Sequence, residues 1–575
     1  MNPELMLTMN SLADRFSLLL LWLQNNPVIL SLLAGLTLPF IFHLPQEERK
    51  NAPFWLKVTA ALSLFVFIFG TLSPLTLQGL SYFFSVLDNT LFFQPWLWIL
   101  NLLFTAAGLC FHILFRRQLS GEIDTLKHRL IKKSQLERNT RTDVRKVKEM
   151  LPDSVEYDPL EYIDLQRGVF IGLDHSGLPR YIPVSEFQSQ HADIIGTTGS
   201  GKGISATVLL YQAILLNEAV FVEDPKNDEW APHVLKQACE QAGKPFYLVD
   251  LNSRNVQFNL LADITPEQLE ELFSAGFSLS KKGEGADFYR IADRRAARNT
   301  AATYLPGMTL RALFDSEFVQ SLRESTPAFY GELEEMALVN AINARDGVSL
   351  RQLFESGGCC YIVGSMRNQK IISAQRMILI RLIQLAETRD RIGSIPRPVA
   401  IFLDELKYHL SRPALEGLGA ARDKRVHIFM AHQSIRDFYD CPADLDGDAV
   451  AGSVIENCKF MLVYRLRDPD TADWVARMSG SILVDDEMRR VTTDISLTEK
   501  VETDRTIRQA ERYYVDSNML LNLPPFVGFV FTQTDLARAT RLDHIRVRKQ
   551  HIPLMDFSAT RPDDHPSSSR PSINL

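Results

Sequence analysis

The segment HADIIGTTGSGKG, residues 191–203, constrains this chain more than any other stretch. An apolar run of strand type ends at Gly196, and Gly196 to Lys202 has the spacing G-x-x-x-x-G-K. Glycines at such positions let successive backbone N–H groups turn inward around phosphates, and the lysine places a cation beside the β and γ phosphates. A helix over 203–216 would aim its N-terminal dipole at the same point. The expected fold is therefore an α/β P-loop domain, with Gly196, Thr197, Thr198, Gly199, Ser200, Gly201, Lys202 and Gly203 cradling ATP.

One residue departs from the usual motif. Gly203 follows Lys202 where a Ser or Thr hydroxyl normally reaches Mg²⁺, so the metal must be held mainly by water and a downstream acid, with Ser205, a helical turn on, as a less well placed contributor. VAIFLDEL, residues 399–406, supplies that acid as an apolar strand ending in Asp404 and Glu405. The first carboxylate is expected to hold the Mg²⁺ shell and the second to polarise the attacking water. AVFVEDPKNDEW (219–230) reads as another strand, delivering Asp224 and Lys226 beside the loop, and VHIFMAHQS (426–434) as a third, ending in Gln433 where an amide can sense a γ-phosphate.

About two hundred residues separate Lys202 from Asp404, more than a minimal P-loop core needs. Most of the excess is the helix-rich block 264–345, opened by Thr265-Pro266-Glu267-Gln268, a cap, a first-position proline and an amide in the first turn. Strand character returns at CCYIVGS (359–365), followed by a helix over 369–389. The expected organisation is a motor domain formed by 151–263 and 346–550, interrupted by an all-α insertion at 264–345.

The first 115 residues have another character. Residues 27–44 carry no Asp, Glu, Lys or Arg; 54–72 carry only Lys57, near one end; 91–115 carry none and open near Trp96 and Trp98. Each is long and apolar enough to read as a membrane span, whereas a cleaved signal would leave one such stretch rather than several. The shorter run Phe16 to Leu23, stopped by QNNP, reads as an interfacial or re-entrant helix. Residues 73–90 hold no Lys or Arg, and residues 116–148 hold eleven against four acids, which orients the body of the chain to the cytoplasm. Leu119, Ile123, Leu126 and Leu130 have helical spacing, suiting either a stalk over 116–150 that self-associates or a basic helix lying on headgroups. From Ser558 the chain has few large apolar side chains and much Ser, Pro and Asp, and 551–575 is expected to be a disordered tail.

The net charge of -7 and pI near 6.0 give no global nucleic-acid signature, so any DNA contact must be local. Arg290, Arg294, Arg295 and Arg298 form one local candidate, either gripping phosphates or solvating a helix face. The six cysteines lack metal-site spacing and read as reduced packing residues.

Taken together, GTTGSGKG, EDPKNDE, FLDEL and AHQS resemble the TraG/TraD class of type IV coupling proteins, within the FtsK/HerA group of P-loop motors, over roughly 150–535. The resemblance implies a RecA/FtsK-like Walker A and Walker B domain behind an α-helical transmembrane anchor in the bacterial inner membrane. It also implies a homo-hexameric ATPase that recruits relaxase-bound single-stranded DNA and relaxosome proteins, driving the DNA into a type IV secretion channel during conjugation. Arg422, in GAARDKRVHIFMAHQS, matches the family's arginine that completes a neighbour's site, with Arg425 as the alternative. Where the family often continues its glutamine motif as Q-S-x-x-Q, this chain has Asp437. Two other readings keep the same fold: a receptor ATPase for protein effectors, and a membrane scaffold that binds nucleotide without turnover.

Overall fold

The computed structural model describes residues 15–42, 54–82, 94–130, 137–138, 151–152, 155–281, 288, 290–390, 392–393, 395–493 and 499–558, in two compact units divided after Gln135. The first unit is helical. Its longest helix, Pro95–Leu130, contains one stretch, Pro95–Phe115, long and apolar enough to cross a membrane by itself. Large side chains on that stretch, among them Ile99, Leu102, Phe111 and Leu114, are exposed.

The other two expected spans fall on shorter, bent segments. Residues 27–44 and 54–72 are not straight crossings but 16-residue helices, Pro27–Phe42 and Phe54–Phe69. They meet the length and apolarity requirement only when joined to Arg15–Asn25 and Ser73–Ser81 across bends of 80° and 78°. Pro27 and Pro74 sit at the starts of the helices that follow these bends, where the residue before a proline resists the helical conformation. Within the unit, Gly35 and Gly108 allow two helices to touch backbone to backbone: a Cβ on Gly35 would come within 2.0 Å of the Thr105 carbonyl oxygen. The buried Asn101 amide bonds the Gly70 carbonyl and the Ser73 hydroxyl. The expected stalk is helical to Leu130; of 131–150, only Glu137 and Arg138 lie within the described residues.

The second unit is built on an eleven-stranded sheet. Its strands are β1 (Val169–Leu173), β2 (Pro179–Ile182), β3 (His191–Ile195), β4 (Ala219–Asp224), β5 (Phe246–Asp250), β6 (Gly358–Val363), β7 (Val399–Leu403), β8 (Val426–His432) and β9 (Cys458–Val463). After a hairpin, β10 (Ser481–Thr493) and β11 (Glu499–Tyr513), the sheet resumes with β12 (Val527–Phe531) and β13 (Arg538–Arg541). The spatial order is β2-β1-β13-β12-β9-β3-β8-β7-β4-β6-β5. The seven strands from β9 to β5 are parallel, and β12, β13, β1 and β2 continue the sheet antiparallel.

Alternation along the buried strands explains the helices on both faces. Val220, Val222, Ala400, Phe402 and Phe429 pack with α1 (Lys202–Leu215) and α2 (Ala231–Ala242). Phe221, Val399, Ile401 and Ile428 join the opposite cluster, with the insertion helices α3 (Pro266–Gly276), α4 (Ile291–Ala302) and α5 (Pro327–Ala337) and with α6 (Gln369–Glu387). The insertion is helical, and its apolar face is continuous with the core of the sheet. Thr265 and Gln268 form the capping box that opens α3.

The boundary expected at 551 shifts. Residues 551–558 are extended and packed: the Phe557 N–H donates to the Val256 carbonyl at 2.8 Å, and Met555 and Phe557 rest against the core. Residues 559–575 lie outside the described residues.

Candidate functional site

Sheet order sets the geometry of the site. Strands β3, β8, β7 and β4 are neighbours, with Ile195 opposite His432, Leu403 opposite Met430, and Glu223 opposite Leu403, so their carboxyl ends form one edge. The 196–203 loop leaves β3, Gln433 follows β8, Asp404 and Glu405 follow β7, and Asp224 closes β4. Residues two hundred positions apart are thereby placed around one point.

The loop turns as its glycines require. Gly199 and Gly201 have φ of +75° and +122°, and a Cβ on Gly196 would come within 2.7 Å of Ser200 Oγ and of Tyr464 Cβ. The Gly196 N–H donates to His432 O at 3.2 Å and the Thr197 N–H to Arg465 O at 2.9 Å, tying the loop to both flanking strands. Helix α1 begins at Lys202, so the N–H groups of its first turn, which have no intrahelical acceptor, sit at the loop's mouth. Lys202 is 5 % exposed, and its ammonium folds back onto the Gly196 carbonyl. Burial lowers its pKa to about 8, against the opposing pull of Glu405.

The carboxylates are held by a second lysine. Lys226 Nζ lies 2.9 Å from Asp404 Oδ2 and 2.6 Å from Glu405 Oε1, and Gln433 Nε2 donates to the same Glu405 oxygen at 2.8 Å. Burial pushes the Glu405 carboxyl up, but Lys226 and Gln433 outweigh it and the pKa is lowered. Burial dominates at Asp404 and its pKa is raised despite Lys226. Burial opposes the Lys226 charge as well, but the two acids overcome this and raise its pKa. Glu405 holds φ +52°, a left-handed conformation that turns its carboxylate toward this cluster at a strain of about 1–3 kcal/mol.

Asp224 is spent on structure. Its carboxylate accepts the N–H groups of Lys226, Asn227 and Asp228 at 2.8, 3.1 and 2.6 Å, and the Tyr361 hydroxyl at 2.6 Å. It brackets the turn that presents Lys226. A cavity of about 390 Å³ adjoins these groups, bounded by the loop, Lys202, Lys226, Asp404 and, on a further wall, Phe526.

Other expected residues are placed elsewhere. Arg422 is exposed and precedes β8, whose seven residues, about 23 Å of strand, separate it from Gln433. The structure does not bring it to this chain's own loop. Arg425 donates to the Pro396 carbonyl at 3.2 Å. Ser205 is fully buried, its hydroxyl donating to the Lys202 carbonyl at 2.8 Å and bonded to Tyr464, so it is closed to a metal. In α4 and just before it, Arg290 and Arg294 donate to the carbonyls of Ser278 and Leu279, while Arg298 pairs with Glu270 at 3.2 Å.

Several side-chain roles escaped the sequence reading. Asp437, standing where an amide was expected, accepts the N–H groups of Gln433 and Ser434 at 2.8 and 3.2 Å and fixes the turn after β8. Behind the strand ends, His409 and Glu223 form a fully buried pair at 3.1 Å, and His432 lies 2.9 Å from Asp193. No local spacing marks such pairs, since each joins two strands or a strand and a distant loop.

Known proteins match on two segments. A family model described as "TraM recognition site of TraD and TraG" matches residues 398–524, and one described as "Helicase HerA, central domain" matches 169–312. "Mobilization protein A" of Escherichia coli is 30 % identical over 332 residues, 56 % of this chain; the chain spans 60 % of that relative's length. Among solved structures, the "bacterial conjugative coupling protein TrwBdeltaN70" in its unbound form has a TM-score of 0.50 at 16 % identity, over 74 % of this chain and 98 % of that one. Its sulphate complex has the same score and identity over 73 % and 98 %. The solved structures establish likeness of fold, and the two family models make residues 169–312 similar to a HerA central domain and residues 398–524 similar to the TraM recognition site of TraD and TraG.

Proposed function

We propose that this chain is the ATPase of a conjugative coupling apparatus, a homo-hexamer anchored in the bacterial inner membrane by several passes. It recruits relaxase-bound single-stranded DNA with its relaxosome and drives the strand toward a type IV secretion channel. The observation that carries this reading is the convergence of Lys202, Lys226, Asp404, Glu405 and Gln433 around the glycine loop. The exposed apolar surface of Pro95–Phe115 supports the anchor, since water would penalise it and lipid would not.

The site fits ATP with Mg²⁺. Side chains at Gly196 or Gly201 would collide with the loop's own neighbours, so the cradle is shaped for backbone amides to approach a ligand. Lys226 shows that the two carboxylates bind a cation between them. No cluster of three or more His, Cys, Asp or Glu side chains converges as a metal site among the described residues, so a divalent ion would be held by Asp404, water and the ligand's own phosphate oxygens. Bound there, Mg²⁺ would neutralise charge developing on the phosphates. Lys202 stabilises the same charge from the loop side, Glu405 accepts the proton of the attacking water, and Gln433 orients that water and the Glu405 carboxylate. Arg422 acts in a neighbouring subunit's site, because its own is a strand length away.

Triphosphate binding should take up a proton. The Lys202 pKa of about 8 is set by burial in the absence of an anion, and phosphate oxygens beside it restore the charged form. At about pH 8.5, calorimetry of ATP binding in buffers of different ionisation enthalpy should register uptake of part of a proton, falling to none near about pH 6.5, where Lys202 is already charged. Equal heats in all buffers at the higher pH would contradict the assignment of Lys202.

The coupling role is tested on the full chain in detergent. Single-stranded DNA should raise ATP hydrolysis several-fold. Turnover indifferent to DNA would redirect the reading to protein cargo, and absence of turnover to a nucleotide-binding scaffold.

A further inference from the structure

Phosphate chemistry occupies one wall of the cavity, and Phe526 stands on another. Its backbone is held at φ +64°, a left-handed conformation in which a large side chain is disfavoured and glycine is not. Two hydrogen bonds enforce it. The Phe526 N–H donates to the Ser200 carbonyl within the glycine loop at 3.0 Å, and the Phe526 carbonyl accepts the Leu542 N–H at 3.0 Å. Gly201 fits beneath, where a Cβ would come within 3.2 Å of the Phe526 Cα. The ring is only half-buried, with the Arg541 guanidinium 6.0 Å and the His544 ring 6.5 Å from its centre. Arg541 is in turn fixed by Asp543 at 2.9 Å, and His544 lies 6.3 Å from the Trp230 ring. An aromatic side chain is thus kept, at a strained position, against the loop that receives the phosphates.

We propose that Phe526 is the stacking platform for the base of the nucleotide whose phosphates lie in the 196–203 loop. This rests on the nucleotide reading above and adds the part of the ligand that reading leaves unassigned. A hydrogen bond from Phe526 to the loop fixes the distance between platform and cradle, so base and phosphates are bound as one rigid template. Stacking uses the face of the ring and is available to any purine. Three polar side chains elsewhere on the cavity wall are already engaged: Asp224 in its turn, Asp228 Oδ1 with the N–H groups of Trp230 and Ala231, and the Thr207 hydroxyl with the Gly203 carbonyl. Recognition through the aromatic face therefore predicts that ATP and GTP bind with similar affinity.

The test compares ATP with inorganic tripolyphosphate, which has the phosphates and no base, on the full chain in detergent. Replacing Phe526 by alanine should weaken ATP about 10- to 100-fold and leave tripolyphosphate within about twofold, while Phe526→Tyr keeps both near wild-type. Phe526→Leu retains bulk without an aromatic face and should also lose ATP selectively. Equal weakening of both ligands in the leucine variant, or unchanged ATP binding in either variant, overturns the proposal. A wild-type chain that binds neither ligand removes the nucleotide reading itself, a pattern distinct from failure of stacking alone.

Discussion

Replacing Lys202 by alanine should reduce ATP turnover about 10²- to 10³-fold, the usual effect of removing one charged stabiliser of a developing oxyanion, without lowering the melting temperature of the chain. The two halves of this expectation share one cause. The ammonium is buried against a backbone carbonyl, and the fold holds it there at a cost that lowers its pKa from 10.5 to about 8. A lysine with a depressed folded pKa weakens the fold as pH falls from the unfolded value toward the folded one. The full penalty remains below about pH 8, roughly 3 kcal/mol by linkage. Alanine removes the penalty along with the charge. An inactive variant at least as heat-stable as the wild type at neutral pH would separate a functional role from a structural one. Turnover within threefold of wild type would dismiss Lys202 as the phosphate ligand.

Local pattern made part of this site legible. The glycine loop, the acidic end of β7 and the amide after β8 each announce themselves because a buried parallel strand followed by a tight, polar or glycine-rich turn has a short-range signature. The DPK turn was recognisable as a neighbour of the loop, but the division of labour within it was not. Asp224 spends its oxygens on three backbone N–H groups and Tyr361, and only Lys226 reaches the carboxylates. Tyr361 belongs to β6, which pairs with β4 only after the whole insertion has been traversed.

Phe526 was invisible for a related reason. Nothing in LPPFVGF signals a left-handed phenylalanine; the conformation follows from hydrogen bonds to Ser200 and Leu542, one of them more than three hundred residues away in the chain. Hydropathy found the apolar segments of the first unit but not their bends, which lie where Pro27 and Pro74 start new helices. The hairpin of β10 and β11 had no counterpart in the sequence reading, since a ribbon rich in charge on both strands lacks the alternation that marks a half-buried strand.

Glu405→Gln should leave ATP binding intact and lower the turnover number about 10²- to 10³-fold, the range for loss of a positioned general base. Glutamine has nearly the same shape, so the left-handed turn and the packing around it persist, and an amide oxygen can still accept from Lys226. It cannot take a proton from water. The wild-type carboxyl is suited to that task, since Lys226 and Gln433 lower its pKa against burial. Its folded pKa lies below the ordinary carboxylate value, and the stability it contributes is lost only as pH falls through that depressed pKa. An acid limb in the rate profile near neutrality must therefore arise from another group. The decisive measurement is the split between parameters: an unchanged dissociation constant for ATP with a collapsed turnover number assigns Glu405 to the chemical step. A raised dissociation constant with normal turnover would make it a mere binding contact and move the role of base to the burial-raised carboxyl of Asp404.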